Sequence, residues 1–219
     1  GFYPKGMAFT SHGISYYGLG MFDEAIDYLL KGMEHCQRSY HTIWTAAANF
    51  YLGEIYYEIG ENQNSGKHFM RAIRLFEETK LLLSWKYVGI LGSIRAKVLN
   101  NQKDINMQSL YKYIQCIKIK VYEGWASRII GEILLNLEED LMSEAEVWIR
   151  RSVESDRMNG MMFHLGKDYA LYAKLFKRKG NKLKAKEHLS MAIEIHKECG
   201  AVGWVKKYEE ELASLSWKP

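Results

Sequence analysis

Histidine and cysteine residues come closest to a metal site in this sequence. His196 and Cys199 lie three positions apart on a predicted helix, and His35, Cys36 and His41 cluster near the beginning of the chain. A closed zinc site needs four converging ligands of this kind. The repeat described below places the two clusters four helical hairpins apart, so we expect them not to meet. We therefore predict no metal site and interpret these residues as helix-end residues.

The sequence contains none of the short motifs that mark common catalytic mechanisms. It has no glycine-rich phosphate loop ending in Gly-Lys-Ser or Gly-Lys-Thr, no Gly-X-Ser-X-Gly, no His-Glu-X-X-His and no Cys-X-X-Cys. Such motifs supply the phosphate cradle, the nucleophile or the metal ligands that the corresponding reactions need. We therefore expect no catalytic residue and no cofactor, and a chain that binds rather than one that catalyses.

Charge and composition argue against several classes of partner. The 30 basic and 26 acidic residues give a formal net charge of +4 that is spread along the chain, whereas nucleic-acid binding needs a concentrated basic field. No apolar run approaches the roughly 20 residues that span a bilayer. Three cysteines at wide spacing fit a reducing compartment better than a disulfide framework. We therefore expect a cytoplasmic protein that contacts neither nucleic acid directly nor a membrane.

An internal repeat of about 40 residues organises the whole chain. A shift of 40 positions without a gap aligns five residues of the first repeat with five of the second, namely Gly13, Tyr16, Gly20, Ala25 and Leu29 with Gly53, Tyr56, Gly60, Ser65 and Phe69. An aromatic residue recurs through all the repeats at intervals of 38 to 41 positions, at Trp44, Trp85, Trp125, Phe163 and Trp204. These regular intervals indicate one structural element that is repeated about five times.

Each repeat has the pattern of two helices joined by a short turn. In the last repeat, apolar residues within 169–176 recur at three- and four-residue spacing, Gly180 and Asn181 interrupt the pattern, and 185–193 resumes it. We predict an all-α fold, a right-handed α-α superhelix of about five hairpins plus a C-terminal capping helix. We expect it to form a single domain over 1–219 and to be a C-terminal fragment of a larger protein. The predicted repeats span about 5–40, 41–81, 82–121, 122–159 and 160–199, followed by a cap at 200–219.

The predicted helices cover almost the whole chain. Their approximate ranges are 5–19, 22–37, 41–59, 62–79, 83–99, 105–120, 123–137, 141–157, 161–179, 182–198 and 201–214. The third repeat departs most from the pattern. On the last helix we expect an exposed, charged face that suits a cap, formed by Lys206, Lys207, Glu209 and Glu210.

Glycines occupy two kinds of position in this pattern. Within a helix a glycine costs roughly 1 kcal/mol relative to alanine, so Gly13, Gly53 and Gly92 indicate a close approach of another helix. Between the two helices of a hairpin, a left-handed backbone is easily adopted only by glycine. We therefore expect Gly20 and Gly60 to form the turns of the first two hairpins.

The second and fifth repeats resemble the tetratricopeptide family. Its signature places a bulky residue, Leu-Gly, Tyr, a turn glycine, Ala, an aromatic residue and Ala in that order. The second repeat follows this order, with departures at Asn49 and Ser65. Its matching positions are Asn49, Leu52, Gly53, Tyr56, Gly60, Ser65, Phe69 and Ala72. The fifth repeat follows it in Tyr169, Tyr172, Ala173, Phe176, Gly180, Ala185, Leu189 and Ala192.

The period of about 40, longer than the usual 34 or so, is similar to a long-helix variety of this family. That variety occurs at the C-terminal end of bacterial maltose-activator-type regulators and of ATPase and nucleotide-cyclase signalling proteins. The stretch 185–204 is especially similar to such regions. The resemblance implies sensing or protein interaction, and it does not imply one particular ligand.

The resemblance also implies a binding surface on the first helix of each hairpin. In the tetratricopeptide register these positions face a concave groove. Carried over position by position, the register points to Ala47, Phe50, Glu54, Tyr57 and Glu58 in the second repeat, Ser93, Ala96 and Lys97 in the third, Trp125, Arg128 and Glu132 in the fourth, and Lys174, Lys177 and Arg178 in the fifth. Mixed charges and aromatic side chains suit a protein or peptide segment.

Several functions stay open at this point. The first is a non-enzymatic interaction or effector-sensing module of a cytoplasmic bacterial signalling protein. The others are the regulatory tail of a multidomain adenylate or guanylate cyclase or ATPase, or of a maltose-activator-type transcription regulator. The partner would be a protein or peptide segment, a neighbouring domain of the same polypeptide, or a small effector. An uncapped N-terminal face at Phe2, Tyr3, Met7 and Phe9 also leaves open a homo-oligomer.

Overall fold

The computed structural model describes residues 2–216, with side chains described for 5–215. This part of the chain is all-α, without a β-strand, as predicted. Its α-helices are α1 Phe2–Leu19, α2 Phe22–Arg38, α3 Thr42–Glu58, α4 Asn62–Thr79, α5 Leu83–Leu99, α6 Met107–Gln115, α7 Glu123–Leu137, α8 Met142–Met158, α9 Met162–Arg178, α10 Lys182–Glu198 and α11 Val202–Ser216. Within these residues no helix combines the length and the apolar character needed to cross a membrane.

The chain divides into two compact units, residues 1–118 and 119–219, called unit 1 and unit 2 below. In unit 1, α1 packs on α2 and α3 packs on α4, while contacts of α2 with α3 and of α4 with α5 join successive hairpins. In unit 2, α7 packs on α8 and α9 packs on α10, and α8 contacts α9 while α10 contacts α11. Each unit is therefore built from helical hairpins that pack on their neighbours in chain order. The single domain over 1–219 stays a prediction.

Helix α6 is the one element whose bounds differ by more than three residues from those predicted. The prediction of a helix over 105–120 is wrong, because α6 covers only Met107–Gln115. The Asn106 side chain caps the start of this helix by accepting a hydrogen bond from the Ser109 N–H at 3.1 Å. Neither glycine nor proline lies within 107–122. The sequence therefore gives no signal for the early end of α6.

The connections between helices use the left-handed backbone region in two ways. Gly20, Gly60 and Gly180 turn within hairpins at φ angles of 78°, 85° and 73°, and the predicted glycine turns are confirmed. Between hairpins of unit 1, Tyr40 and Leu82 adopt φ angles of 57° and 52° without being glycine. A non-glycine residue in this region is disfavoured by roughly 1–2 kcal/mol. The flanking helices must therefore hold these two connections in place.

Glycines in two first helices make room for Phe69. A Cβ atom on Gly53 of α3 would lie 2.9 Å from the Phe69 ring, and one on Gly92 of α5 would lie 2.7 Å from it. Phe69 is fully buried, so its ring occupies the space that the two absent side chains leave. At Gly13, a Cβ atom would lie 2.6 Å from the side chain of Leu29. The predicted close approach at these three glycines is confirmed.

Helix α11 has the exposed charged face predicted for a cap. Lys206, Glu209 and Glu210 are exposed, and Lys207 is half-buried. On its other side, Trp204 is fully buried against the aromatic rings of α9 and α10. The amphipathic pattern of α11 therefore covers the end of unit 2 while leaving charge on the outside.

Candidate protein-binding site

A buried ion pair links the first helices of unit 1. Glu54 of α3 and Arg95 of α5 are at most 2% exposed. Arg95 Nη2 donates a hydrogen bond to Glu54 Oε1 at 2.8 Å, and the Tyr17 hydroxyl of α1 donates to Glu54 Oε2 at 3.4 Å. The Arg95 guanidinium also lies 3.4 Å from the centre of the Tyr57 ring, within the range of a cation–π contact. Side chains of α1, α3 and α5 thus share one network of opposite charges.

A second buried network surrounds Arg128 in unit 2. Arg128 of α7 is 3% exposed, and its Nη1 donates to Asp168 Oδ1 at 2.8 Å and to the His164 carbonyl at 3.2 Å. Asp156 Oδ2 of α8 lies 3.7 Å from the same nitrogen. The ring of Trp125 lies over that of His164, with 4.5 Å between centres. Arg128 therefore joins α7, α8 and α9 from the inside.

The His164 ring is a neutral member of this network. Burial, followed by the positive charges of Arg128 and Lys167, lowers the pKa of His164 well below its usual range. The Nδ1 atom of His164 lies 3.1 Å from Arg128 Nη2, so a neutral imidazole accepts a hydrogen bond from the guanidinium. The histidine therefore adds an acceptor for Arg128 without adding charge.

Asp156 and Asp168 form a buried acid pair beside Arg128. No N–H or O–H group within 5–215 donates a hydrogen bond to either oxygen of Asp156. Burial, and then the neighbouring Asp168, raises the pKa of Asp156 to about 8. Burial also raises the pKa of Asp168, to about 6, against the opposing effect of Arg128. Because one guanidinium balances one carboxylate, the pair retains a proton near neutral pH.

Most of the residues that the resemblance places on the binding surface are buried. Eight of them are at most 6% exposed, namely Ala47, Phe50, Glu54, Ser93, Ala96, Trp125, Arg128 and Glu132. Tyr57 and Glu58 are half-buried, and the exposed members are Lys97, Lys174, Lys177 and Arg178. The structure brings Glu54 and Tyr57 together around Arg95, and Trp125 and Arg128 together around His164. Partner binding at these positions stays a prediction.

The exposed members of this set lie in different surroundings. Arg178 at the end of α9 donates hydrogen bonds to the Leu135 carbonyl and, at 2.8 Å, to Asn136 Oδ1 near the end of α7. Its guanidinium thus donates hydrogen bonds to oxygen atoms at the C-terminal end of α7. Lys174 and Lys177 line a depression of about 260 Å³ among α9, α10 and α11. Lys97 lines a larger groove in unit 1.

Open grooves lie between the helices of unit 1. The α2–α4 groove, of about 600 Å³, is formed by the second half of α2, Tyr40 and His41, the first half of α3, and α4. The α4–α6 groove, of about 760 Å³, is formed by α4, α5, the segment 102–106 and α6. Each groove crosses from one hairpin to the next. Both are therefore surfaces on which a partner segment would contact more than one repeat.

The histidine and cysteine clusters take part in packing. His35 stacks on Phe9 with 5.4 Å between ring centres, and Cys36 is buried. His196 is also buried, with its Nδ1 atom 2.8 Å from the Ala192 carbonyl oxygen, whereas Cys199 is exposed. In the described part of the chain, no three histidine, cysteine or acidic residues are arranged to hold a metal ion. Packing therefore accounts for the positions of the buried members.

Sequence reasoning missed the internal partners of the predicted site residues. Arg95, Asp156, Asp168 and His164 were not singled out, although each contacts Glu54 or Arg128. A signal for two of these contacts is present in the chain, because Arg95 follows Glu54 by 41 positions and Asp168 follows Arg128 by 40. Opposite charges one repeat apart on first helices thus mark a pair between neighbouring hairpins.

Comparison with known families agrees with this architecture. Residues 6–78 match the family model described as tetratricopeptide repeat, a range that covers α1 to α4 except for the start of α1 and the last residue of α4. A search of curated proteins gives no significant match. Repeats of this family generally mediate protein–protein interaction. In both units, helical hairpins pack on their neighbours in chain order, as they do in such helical repeats. The first two hairpins of unit 1 are therefore similar to a protein-interaction repeat.

Proposed function

We propose that this chain is a non-enzymatic protein-interaction module that binds a segment of a protein or peptide. The observation that carries the proposal is the α2–α4 groove, because all of its lining residues fall within the stretch that matches the tetratricopeptide family. It brings three helices of two hairpins to one open surface. The charged first-helix residues Glu54 and Arg128 are already engaged inside the fold. An open groove is thus the better place for a partner.

A protein segment fits the grooves of unit 1 better than a small effector does. Small-molecule sites bury roughly 70–90% of their ligand in a concave, mostly apolar pocket. The α2–α4 and α4–α6 grooves are instead open and mix charged with apolar side chains. A chain segment makes use of such a surface because it gathers contacts from several helices.

We also propose that the module belongs to a bacterial cytoplasmic signalling or regulatory protein. The period of about 40 residues and the stretch 185–204, which resemble maltose-activator-type regulators and cyclase-associated proteins, support this context. The partner is then another protein or a neighbouring domain of the same polypeptide. The complete reading frame around this sequence separates a regulator with a DNA-binding domain from a cyclase or an ATPase.

A peptide selection tests the proposed interaction. Phage-displayed random peptides would be selected on the purified chain, and the enriched peptides would be titrated by calorimetry. We expect saturable binding at one site per chain that heat-unfolded protein does not show. Failure of every selected peptide to bind in solution would contradict the proposal. The same preparation should hydrolyse neither ATP nor acyl esters above a buffer blank, and a rate abolished by one point substitution would favour an enzyme.

A further inference from the structure

We propose that the α2–α4 groove binds an extended acidic segment, held by Arg71 and Arg74 of α4 and by Tyr40. The inference rests on the proposed function and names the surface and the chemistry of the partner. The groove lies on the side of the second helices α2 and α4. Its lining residues include none of the first-helix positions that the tetratricopeptide resemblance implies.

The charge of the groove selects the partner. Arg71 and Arg74 are both exposed on its wall, and within 5–215 neither guanidinium group forms an ion pair or a hydrogen bond with another residue. Glu78 is the acidic side chain on the same wall. By contrast, Arg38 and Arg151 on other second helices pair with Glu34 and Glu123. The two groove arginines thus leave a positive surface available for carboxylates, which Arg binds in a planar, bidentate manner.

The spacing of the two arginines favours an extended chain. Residues three apart on a helix have Cβ atoms about 5–6 Å apart. In an extended segment, side chains two positions apart point to the same side at about 6.6–6.8 Å. Two acidic residues separated by one other residue can therefore face Arg71 and Arg74 together. An acid-X-acid pattern is the simplest sequence that satisfies both positions.

Tyr40 supplies an aromatic anchor at the rim of the groove. Its side chain is 92% exposed, although tyrosine is among the residues that contribute most at protein interfaces. The Tyr40 N–H donates to the Gln37 carbonyl at 3.2 Å, and the following His41 N–H donates to the Cys36 carbonyl at 2.8 Å. The connection is thus hydrogen-bonded with its ring left in solvent. An apolar partner residue next to the acidic pair would cover that ring.

The floor of the groove is already satisfied and does not attract a charged group. Asn49 is 2% exposed; its Nδ2 donates to the Thr45 carbonyl at 2.9 Å, and its Oδ1 lies 3.0 Å from His68 Nδ1. Asn49 thus leaves recognition of carboxylates to the exposed arginines. Two arginines beside one acidic residue, Glu78, also do not form the extended basic stripe that is typical of a nucleic-acid-binding surface. These features favour an acidic protein segment over a nucleic acid.

Fluorescence anisotropy with three labelled peptides tests the inference. The probe has the core Glu-Ser-Glu-Ser-Phe between Gly-Ser flanks, which places both acids and the aromatic residue on one side of an extended chain. The second peptide replaces both Glu by Lys, and the third replaces Phe by Ser. We expect the probe to bind about tenfold or more tightly than the Lys peptide, and more tightly than the Ser peptide. A single-stranded DNA oligonucleotide serves as a competitor.

Variants of the full chain locate the binding surface. The double variant Arg71→Ala, Arg74→Ala should weaken probe binding about tenfold or more, and Tyr40→Asn severalfold. Asparagine is chosen because it tolerates a left-handed backbone. The matched control is Lys174→Ala, Lys177→Ala, which removes two exposed cations at the same helical spacing on α9. Circular dichroism would confirm that all the variants are folded.

The possible results separate the inference from the proposed function. Loss of binding in the α4 and Tyr40 variants alone supports the inference. Equal binding by the α4 variant, loss in the α9 control, or competition by the oligonucleotide as strong as that by the peptide overturns it. If the acidic probe does not bind but a selected peptide does, the inference fails while the interaction function stands. If no peptide of any kind binds, both fail.

Discussion

Each unit buries an arginine among its first helices, and the two arginines have different groups beside them. In unit 1, Arg95 pairs with the carboxylate of Glu54 and contacts the ring of Tyr57. In unit 2, Arg128 faces the two acids Asp156 and Asp168. Two acids beside the Arg128 guanidinium favour retention of a proton on the acid pair. Similar hairpins therefore contain cores of different electrostatic character.

Across the two units, the repeat preserves helices more strictly than it preserves interior charge. The pairs Glu54–Arg95 and Arg128–Asp168 both join first helices of neighbouring hairpins at about one period. The acid comes first in unit 1 and the arginine comes first in unit 2. In unit 2 a second acid is added from α8. We therefore expect the stability of unit 2 to fall at alkaline pH through its acid pair.

The largest expected effect comes from removing either buried arginine. Arg95→Met and Arg128→Met should each lower the free energy of unfolding by about 3–5 kcal/mol near pH 7, because each leaves a buried acid without its cation. In unit 2 the loss should shrink at pH 5, where the acid pair takes up protons. Urea unfolding, read by hydrogen exchange of α5 and α7 peptides, measures both effects.

An exposed arginine provides the control for these substitutions. Arg71→Met removes the same charge from the surface of α4 and should change the unfolding free energy by no more than about 0.5 kcal/mol. If Arg95→Met and Arg128→Met lower the free energy of unfolding no more than Arg71→Met does, the buried networks do not stabilise the units. If the cost of Arg128→Met does not depend on pH, the acid pair does not exchange protons as described.

The second prediction concerns the alkaline side of unit 2. The folded pKa of Asp156, about 8, lies above its unfolded value, so the folded state holds the extra proton. This contribution to stability is complete at pH values below the unfolded pKa and is lost as pH rises towards about 8. Between pH 6.5 and 8 we expect the free energy of unfolding of unit 2 to fall by up to about 1.4 kcal/mol per pH unit, because one proton is released.

Asp156→Asn should reduce the fall in the free energy of unfolding between pH 6.5 and 8, because asparagine carries no charge at any pH. The variant should match or exceed the original chain in stability above pH 8. Asp140→Asn is the matched control, since Asp140 is an exposed acid of the same unit. Protection of α8 and α9 amides from hydrogen exchange at several pH values measures the slope. An unchanged slope in Asp156→Asn would show that another group retains the proton.

Helices and turns could be predicted from the sequence because their signals are local. Gly60 supplies a left-handed turn, and Gly53 makes room for Phe69 across one hairpin. The tetratricopeptide register places Glu54 and Arg128 on an open groove, whereas both are buried and paired with residues about one period away. Pairing of that kind depends on how neighbouring hairpins pack, and no local pattern contains it. The early end of α6 likewise has no glycine or proline to mark it.

A third and smaller effect is expected on the acidic side of unit 1. Burial, followed by the charges of Arg71 and Lys67, lowers the pKa of His68 to about 4. A lowered histidine pKa means that the neutral ring stabilises the fold above about pH 6.5, and that this stability is lost as pH falls towards 4. His68→Gln should reduce that loss, as measured by thermal unfolding at pH 4.5 and pH 7. His12→Gln, at an exposed ring on α1, should leave it unchanged.

The smallest expected effect tests whether the hydrogen bonds of Tyr17 and Arg95 to Glu54 depend on each other. The Tyr17 hydroxyl donates to Glu54 Oε2 at 3.4 Å, a long hydrogen bond, whereas Arg95 donates to the other oxygen at 2.8 Å. Removing the long bond by Tyr17→Phe keeps the buried ring and should cost about 0.5 kcal/mol, the low end for a single hydrogen bond. In the Arg95→Met background the same change should cost more, because Tyr17 then contributes a larger share of the hydrogen bonding to the carboxylate. A double-mutant cycle by urea unfolding measures the difference. Strict additivity of the two changes would mean that hydroxyl and guanidinium act on Glu54 independently.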